Sequence, residues 1–326
     1  MESRRGTLIG AVSAIVGGVT LAYAGIKRLS TSGGELKPVL PGEDLFYNWR
    51  GWKISYSKMG SGPPLIALHG IYAGASNYEM RRVFELFARD YTVYAPDLLG
   101  FGRSDRPAIE YSDKLYINLI RDFIRDVVGA GSFALANSLS ASYAIEVAAR
   151  EPNLLSGIIL VSPTGLTSLA GMPAPAQEIW RRVLRAPLIG DVYFLTLTSK
   201  IGIRNFLETR VYFDAGLVTD SMVDQLFASS RQPGAKWPLI AFICGRLNHG
   251  VRFSFPLLRI PVLIIRGAQS TFTPLSEMEE FLSLNLRAEL RQIENCGALP
   301  HDEKAAVFHR YARDWLMREI SYRRLA

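Results

Sequence analysis

The chain has 326 residues, 48% of them apolar and 21% charged, which suits one large core or two modest ones and excludes a disordered, collagen-like or multi-span transporter chain. With two cysteines and four histidines, a disulfide framework is excluded and a Cys/His metal site is poorly supplied; no metal and no cofactor is expected. The net charge of +7 comes in pairs such as Arg4-Arg5, Lys27-Arg28, Arg81-Arg82 and Arg181-Arg182, not in a cationic run interleaved with aromatics, so nucleic acid is not the expected partner. Scattered solvated charge and attraction to an anionic membrane surface remain as readings of that pattern.

Thr7 to Ile26 is an uncharged run of about 20 residues, long enough to cross a bilayer as a helix. Arg4-Arg5 precede it, Lys27-Arg28 follow it, and Gly10, Gly17, Gly18 and Gly25 suit close packing in lipid. An uncleaved single-pass anchor over residues 1–28 is the expectation, with membrane lipid as its partner. The alternative is a signal peptide cut after Ala22-Tyr23-Ala24, giving a secreted protein. The flanking charges nearly balance, so the side of the membrane stays open. Residues 29–44, with Ser, Gly and Pro, read as a linker.

From Leu45 short apolar runs alternate with helical patterns, the signature of a parallel sheet with crossover helices. Gly51 to Tyr56 belongs to an opening hairpin and Leu65 to Leu68 is a buried strand ending at His69-Gly70. Tyr78 to Arg89 reads as an amphipathic helix, Thr92 to Ala95 as a strand, and Asp113 to Val128 as a helix with Leu115, Leu119, Phe123 and Val127 on one face. Ser132 to Ala136 is a strand, Leu139 to Arg150 a helix and Gly157 to Val161 a strand. Then, for about 95 residues between Pro163 and Arg259, helical periodicity replaces the alternation; a structureless loop of that length is improbable, so an inserted helical subdomain is expected. Strands at Val262–Ile265 and Glu289–Ile293 and helices at Ser276–Leu284 and Lys304–Ile320 complete the body.

Ala136-Asn137-Ser138-Leu139-Ser140, between a strand and a helix, resembles a nucleophile elbow, a sharp turn that exposes a serine hydroxyl and aims the first N–H groups of the helix at a substrate oxygen. On its own, a serine there is more often a plain helix cap. His69-Gly70 after one strand, Pro96-Asp97-Leu98-Leu99-Gly100-Phe101-Gly102 after the next, and Pro163-Thr164-Gly165 opening the helical insertion give the turn its context. In that order, from Leu45 to Trp315, the chain is similar to the α/β-hydrolase family with a helical cap. The resemblance implies an α/β fold, a mostly parallel sheet flanked by helices, with a core of residues 45–163 and 259–326 and a cap of residues 164–258. It also implies Ser138 at the nucleophile position and an oxyanion hole made by the backbone N–H groups of Ile71 and Leu139.

The family's acid follows the strand Val262–Ile265, three residues past a glycine; here Gly267 is followed by Ser270. Some members carry the acid after the preceding strand, where Ser162-Pro163-Thr164 holds no carboxylate. The family's histidine follows a glycine after the last strand; in Cys296-Gly297-Ala298-Leu299-Pro300-His301 that position holds Ala298. A serine hydroxyl is a weak nucleophile until a neighbour takes its proton. His301, one helical turn beyond the vacant position, and His249, overhanging the pocket from the cap, are the candidate substitute bases, with His69 a lesser one.

The cap carries apolar stretches at Phe194 to Leu207 and Trp237 to Ile243. They pack the cap on the core, roof an apolar pocket, or rest on a bilayer. The leading reading is a membrane-tethered, hydrolase-like protein that lacks the relay and binds an apolar small molecule or a protein partner. The alternatives are a serine hydrolase acting on carboxylic or lipid esters through a non-standard base, and an accessory subunit of a membrane complex.

Overall fold

A computed structural model describes residues 23–166, 174–186 and 188–325. Most of the apolar run Thr7–Ile26 lies outside the described residues; among those described, no helix is long and apolar enough to cross a membrane. Residues 23–30 are helical.

Eight strands form one sheet: β1 (Glu43–Trp49), β2 (Trp52–Met59), β3 (Pro64–Leu68), β4 (Thr92–Pro96), β5 (Ser132–Asn137), β6 (Leu155–Val161), β7 (Val262–Gly267) and β8 (Ala288–Ile293), in the order β1-β2-β4-β3-β5-β6-β7-β8. The expected hairpin is β1 and β2, closed by Arg50-Gly51. Both residues have positive φ (54° and 87°), the backbone hand that matches strand twist in a two-residue turn. β2 also runs antiparallel to β4, and every later pairing is parallel.

The central strands are buried on both faces, which is why they read as apolar runs without alternation. Ile66, Leu68, Ala134, Ala136, Ile158, Leu160, Val262 and Ile264 point to one face. There they meet α1 (Asp113–Phe123), α2 (Leu139–Arg150) and α8 (Leu275–Leu284). Leu65, Ala67, Phe133, Leu135, Ile159, Val161, Leu263 and Ile265 face the other side, against Phe84, Phe87 and the closing helix α9 (Ala305–Leu325) through Phe308, Trp315 and Leu316. The helix expected to reach Val128 does so by continuing α1 as one π turn, Ile124–Val128, stopped by Gly129 at φ 98°.

The single amphipathic helix expected over Tyr78–Arg89 is corrected to two pieces, a 3-10 turn Asn77–Met80 and a helical turn Phe84–Phe87. Glu79, in the first piece, is a charged residue 2% exposed that faces the core.

Between β6 and β7 the described chain is helical, with α3 (Ala174–Arg185), α4 (Ile189–Leu197), α5 (Lys200–Phe206), α6 (Asp220–Ser230) and α7 (Lys236–Ile243). These helices carry apolar clusters of their own. The larger takes in Ile203, Leu207, Val211, Met222 and Leu226, and reaches into the core domain at Ala298 and Leu299.

Candidate active site and ligand cavity

Ser138 stands between β5 and α2 at φ 52°, ψ −120°, a conformation that costs an L-residue energy and that only its surroundings can hold. The surroundings do so with small or polar groups. The neighbours Ala136 and Ser140 are fully buried, the Ser138 N–H donates to Val161 O, and the Ser140 hydroxyl donates to His69 O across 2.6 Å. That last bond fixes the loop after β3 to the start of α2. Ile71 from the loop and Leu139 from the helix therefore line the same cavity as Ser138. Among the described residues neither N–H donates to another protein group, which leaves two backbone donors beside the hydroxyl.

A buried charged network lies beneath this loop. Glu79 accepts the Gly70 N–H on both carboxylate oxygens at 3.1 Å and the Asn137 amide at 2.9 Å. His301, fully buried, brings Nε2 to 3.3 Å from Glu79 Oε1 without hydrogen-bond alignment. Burial by itself would push the Glu79 carboxyl up; the nearby His301 and the Gly70 N–H outweigh it and hold the group below the usual carboxylate range. Burial, with Glu79 adding to it, pushes the hydroxyl of Tyr72 well above its ordinary range. A side chain at position 70 would meet Asn137 Nδ2 at 2.8 Å, so the glycine lets this network close.

The opposite wall is apolar or neutral. Ala298 lines the cavity, donates its N–H to Val211 O across 2.7 Å and belongs with its methyl to the cap cluster. Ser162, at φ 41°, also lines the cavity and donates its hydroxyl to Ala298 O at 2.9 Å. Ser270, 7% exposed, pairs with the Thr273 hydroxyl at 2.9 Å and does not line the cavity. The cavity has a volume of about 230 Å³. Phe242, Phe206 and Phe272 complete its apolar lining, and the last two, half-exposed with ring centroids 6.1 Å apart, mark its mouth.

The structure also places the four histidines, none of which lines the cavity. His301 is taken up under Glu79. His249 is held between Asp113 Oδ2 at 2.9 Å and Glu146 Oε2 at 3.2 Å, on α1 and α2, instead of overhanging the pocket. His69 receives the Leu98 N–H on Nε2 at 3.0 Å and sets Nδ1 2.7 Å from Gly70 O. That arrangement assigns the proton to Nδ1 and leaves no lone pair for a substrate. His309 packs edge-on against Phe87. Among the described residues no hydrogen bond reaches the Ser138 hydroxyl, and no group of His, Cys, Asp and Glu is disposed to hold a metal ion.

Sequence reasoning did not find Glu79, Asn137 or Tyr72. A glutamate in a segment of mixed charge carries no local sign that it faces inward.

The chain matches the alpha/beta hydrolase family over residues 65–310. It is 24% identical over 289 residues to a 2-hydroxy-6-oxo-6-(2'-aminophenyl)hexa-2,4-dienoic acid hydrolase of Metapseudomonas resinovorans, covering 87% of this chain and 94% of that one. It is 32% identical over 161 residues to an uncharacterized protein of Mycobacterium tuberculosis, where the match covers 47% of this chain and 46% of the relative, about half of that protein's length. Among solved structures, a serine hydrolase involved in carbazole degradation superposes with a TM-score of 0.71 at 21% identity, covering 85% of this chain and 99% of that one. Sheet order, strained serine turn and a match running from β3 into α9 agree with one another: this chain belongs to the alpha/beta hydrolase family.

Proposed function

We propose that this protein uses its cavity to bind an uncharged apolar small molecule, or the apolar tip of a larger one, and that it is not an efficient ester hydrolase. One observation carries the reading: among the described residues, no histidine or carboxylate lines the cavity into which Ser138 opens. A general base is worth about 10²–10⁴ in rate, so a hydroxyl without one is a poor nucleophile at neutral pH. Charged ligands are disfavoured because, among the described residues, the Tyr72 phenol alone of ionisable side chains lines the cavity, and Tyr72 is held neutral. The volume accommodates a short acyl chain or one aromatic ring, and the phenylalanine mouth favours arrival from an apolar phase. An anchor at Thr7–Ile26 would hold that mouth near lipid.

The test uses a neutral, environment-sensitive dye such as Nile red and an aryl butyrate ester. The expected result is saturable dye binding, weakened by Leu207→Trp, which fills the cavity, together with ester turnover equal to that of Ser138→Ala. Turnover at ordinary esterase rates that Ser138→Ala abolishes would overturn the reading.

That outcome would establish the second one, a serine hydrolase with an unorthodox base. It draws support from the two unengaged N–H groups at Ile71 and Leu139 and from the hydrolase relative that aligns along most of the chain. In the serine-protease case, such a hole and binding together retain about 10³–10⁴ over water when the triad is removed.

A further inference from the structure

A second concavity lies away from Ser138. Helix 23–30 and the start of the linker lean on the cap and leave a cleft of about 420 Å³, lined among others by Lys27, Arg28, Thr31, Gln232, Lys236 and Trp237. Among the described residues the one carboxylate lining it, that of Asp191, is 2% exposed and pairs with Lys236 across 2.5 Å, so those two charges cancel. Lys27 and Arg28 are exposed, and among the described residues neither has a carboxylate partner. Arg185 adds a further cation against the Trp237 ring, its guanidinium 5.1 Å from the centroid.

Directly next to this lining is Arg231, 5% exposed. Its guanidinium donates to three carbonyls, those of Leu29 (3.2 Å), Leu195 (2.9 Å) and Thr198 (3.1 Å), and stacks near Phe227 at 5.0 Å. Its Nε finds no partner. Carbonyls satisfy N–H groups but do not neutralise charge, and among the described residues no acid pairs with Arg231. A buried guanidinium without a counter-ion, beneath a cleft rimmed by two unpaired cations, produces a positive potential that an anion in the cleft would offset.

We propose that the cleft between helix 23–30 and the cap binds a phosphate-bearing anion, either free phosphate or the headgroup of an anionic phospholipid. Adjacent Lys27 and Arg28 supply a point charge and a planar fork, the pair of donors that phosphate oxygens accept best. Both follow directly on the apolar run that ends at Ile26, which is the depth at which a lipid phosphate sits when such a run enters a bilayer. This inference does not depend on what the Ser138 cavity does.

The experiment titrates the full chain, in a neutral detergent, with inorganic phosphate, with short-chain phosphatidylglycerol, and with diacylglycerol of the same chain length. Trp237 is the reporter, and loss of the fluorescence change in Trp237→Phe identifies its signal. A saturable change is expected with at least one of the phosphate-bearing ligands and none with diacylglycerol. The double variant Lys27→Ala/Arg28→Ala, at two exposed positions, should bind at least tenfold more weakly while its melting midpoint and its dye binding in the main cavity stay unchanged. Saturation by inorganic phosphate identifies free phosphate as a sufficient ligand; saturation by phosphatidylglycerol alone identifies the lipid headgroup. No saturable change with either, a response to diacylglycerol equal to that of phosphatidylglycerol, or unchanged affinity in the double variant overturns the proposal.

Discussion

Around Ile71 the wall of the Ser138 cavity is backed by charge: Glu79 holds the Gly70 N–H and the Asn137 amide, with His301 against its other side. Around Ala298 the wall is a methyl group packed into the cap cluster and a hydroxyl spent on a carbonyl at Ser162, while the hydroxyl pair at Ser270 and Thr273 lies outside the lining. The two sides answer to different constraints. Oxyanion donors belong to the backbone, so any sequence that keeps the loop and the strained turn keeps them. A proton relay depends on two side-chain identities at positions the fold does not need, so substitution can remove it while the sheet, the turn and the cavity persist.

The strongest test of that contrast is to rebuild the second wall. In the double variant Ser270→Asp/Ala298→His, aryl-ester hydrolysis should rise by about 10²–10⁴ over the unmodified protein, the range a general base contributes. The Ser138→Ala change in the same background should remove the gain. A folded double variant with no gain would mean that Ala298 does not face the hydroxyl as the comparison of the two walls requires.

On the first wall the expected effect is on stability. Glu79→Ala removes one partner of a buried charged contact and leaves the Gly70 N–H, the Asn137 amide and His301 without it. Loss of about 3–5 kcal/mol is expected, read as a lower urea midpoint. A loss under about 1 kcal/mol would place Glu79 among ordinary neutral hydrogen-bond partners and dissolve the distinction between the walls.

This network also marks where sequence reading stopped. The parallel sheet was legible because strands buried on both faces leave apolar runs, and the serine turn because its strand, small neighbours and helix are contiguous in the chain. Glu79 was not, since its partners come from the loop after β3 at Gly70, the end of β5 at Asn137 and the short helix Pro300–Glu303 at His301, the last two far from it in sequence. It also falls in the segment read as one amphipathic helix, which the structure divides in two. Nor was the fate of His249 legible: its partners Asp113 and Glu146 lie on helices far from it in sequence. A histidine in a cap segment gives no sign of which way it turns.

His249 provides the next expected effect, a dependence on pH. Burial would lower its pKa, but the hydrogen bond to Asp113 and the nearby carboxylate of Glu146 dominate and raise it above the ordinary 6.5. Both carboxylates fall below their ordinary 3.8 and 4.5, with burial again outweighed by the His249 contact; Arg150 on Glu146 and Lys114 beside Asp113 help. A raised histidine stabilises fully below pH 6.5 and loses that contribution as pH climbs through its folded value; lowered carboxylates lose theirs as pH falls through their folded values. The cluster should therefore contribute most between about pH 4.5 and 6.5. The melting midpoint of the wild type should exceed that of His249→Gln by more at pH 6 than at pH 8. A difference independent of pH across that interval would show that His249 stays neutral in place.

The smallest effects come from single hydroxyls that lie outside the cavity lining, those of Ser270 and Ser140. Ser270→Ala removes the bond to Thr273 and Ser140→Ala the bond to His69 O, and each should cost about 1 kcal/mol in denaturant unfolding. Equal costs with unequal consequences would separate the walls most finely. The Ser140 hydroxyl fixes the loop that carries Ile71, so its removal loosens a residue lining the cavity and should weaken dye binding several-fold. The Ser270 hydroxyl touches nothing that lines the cavity except through the backbone, so its removal should leave dye affinity where it was. If both substitutions weakened binding alike, Ser270 would be coupled to the cavity although its hydroxyl reaches no lining residue, and the distinction between the two walls would fail.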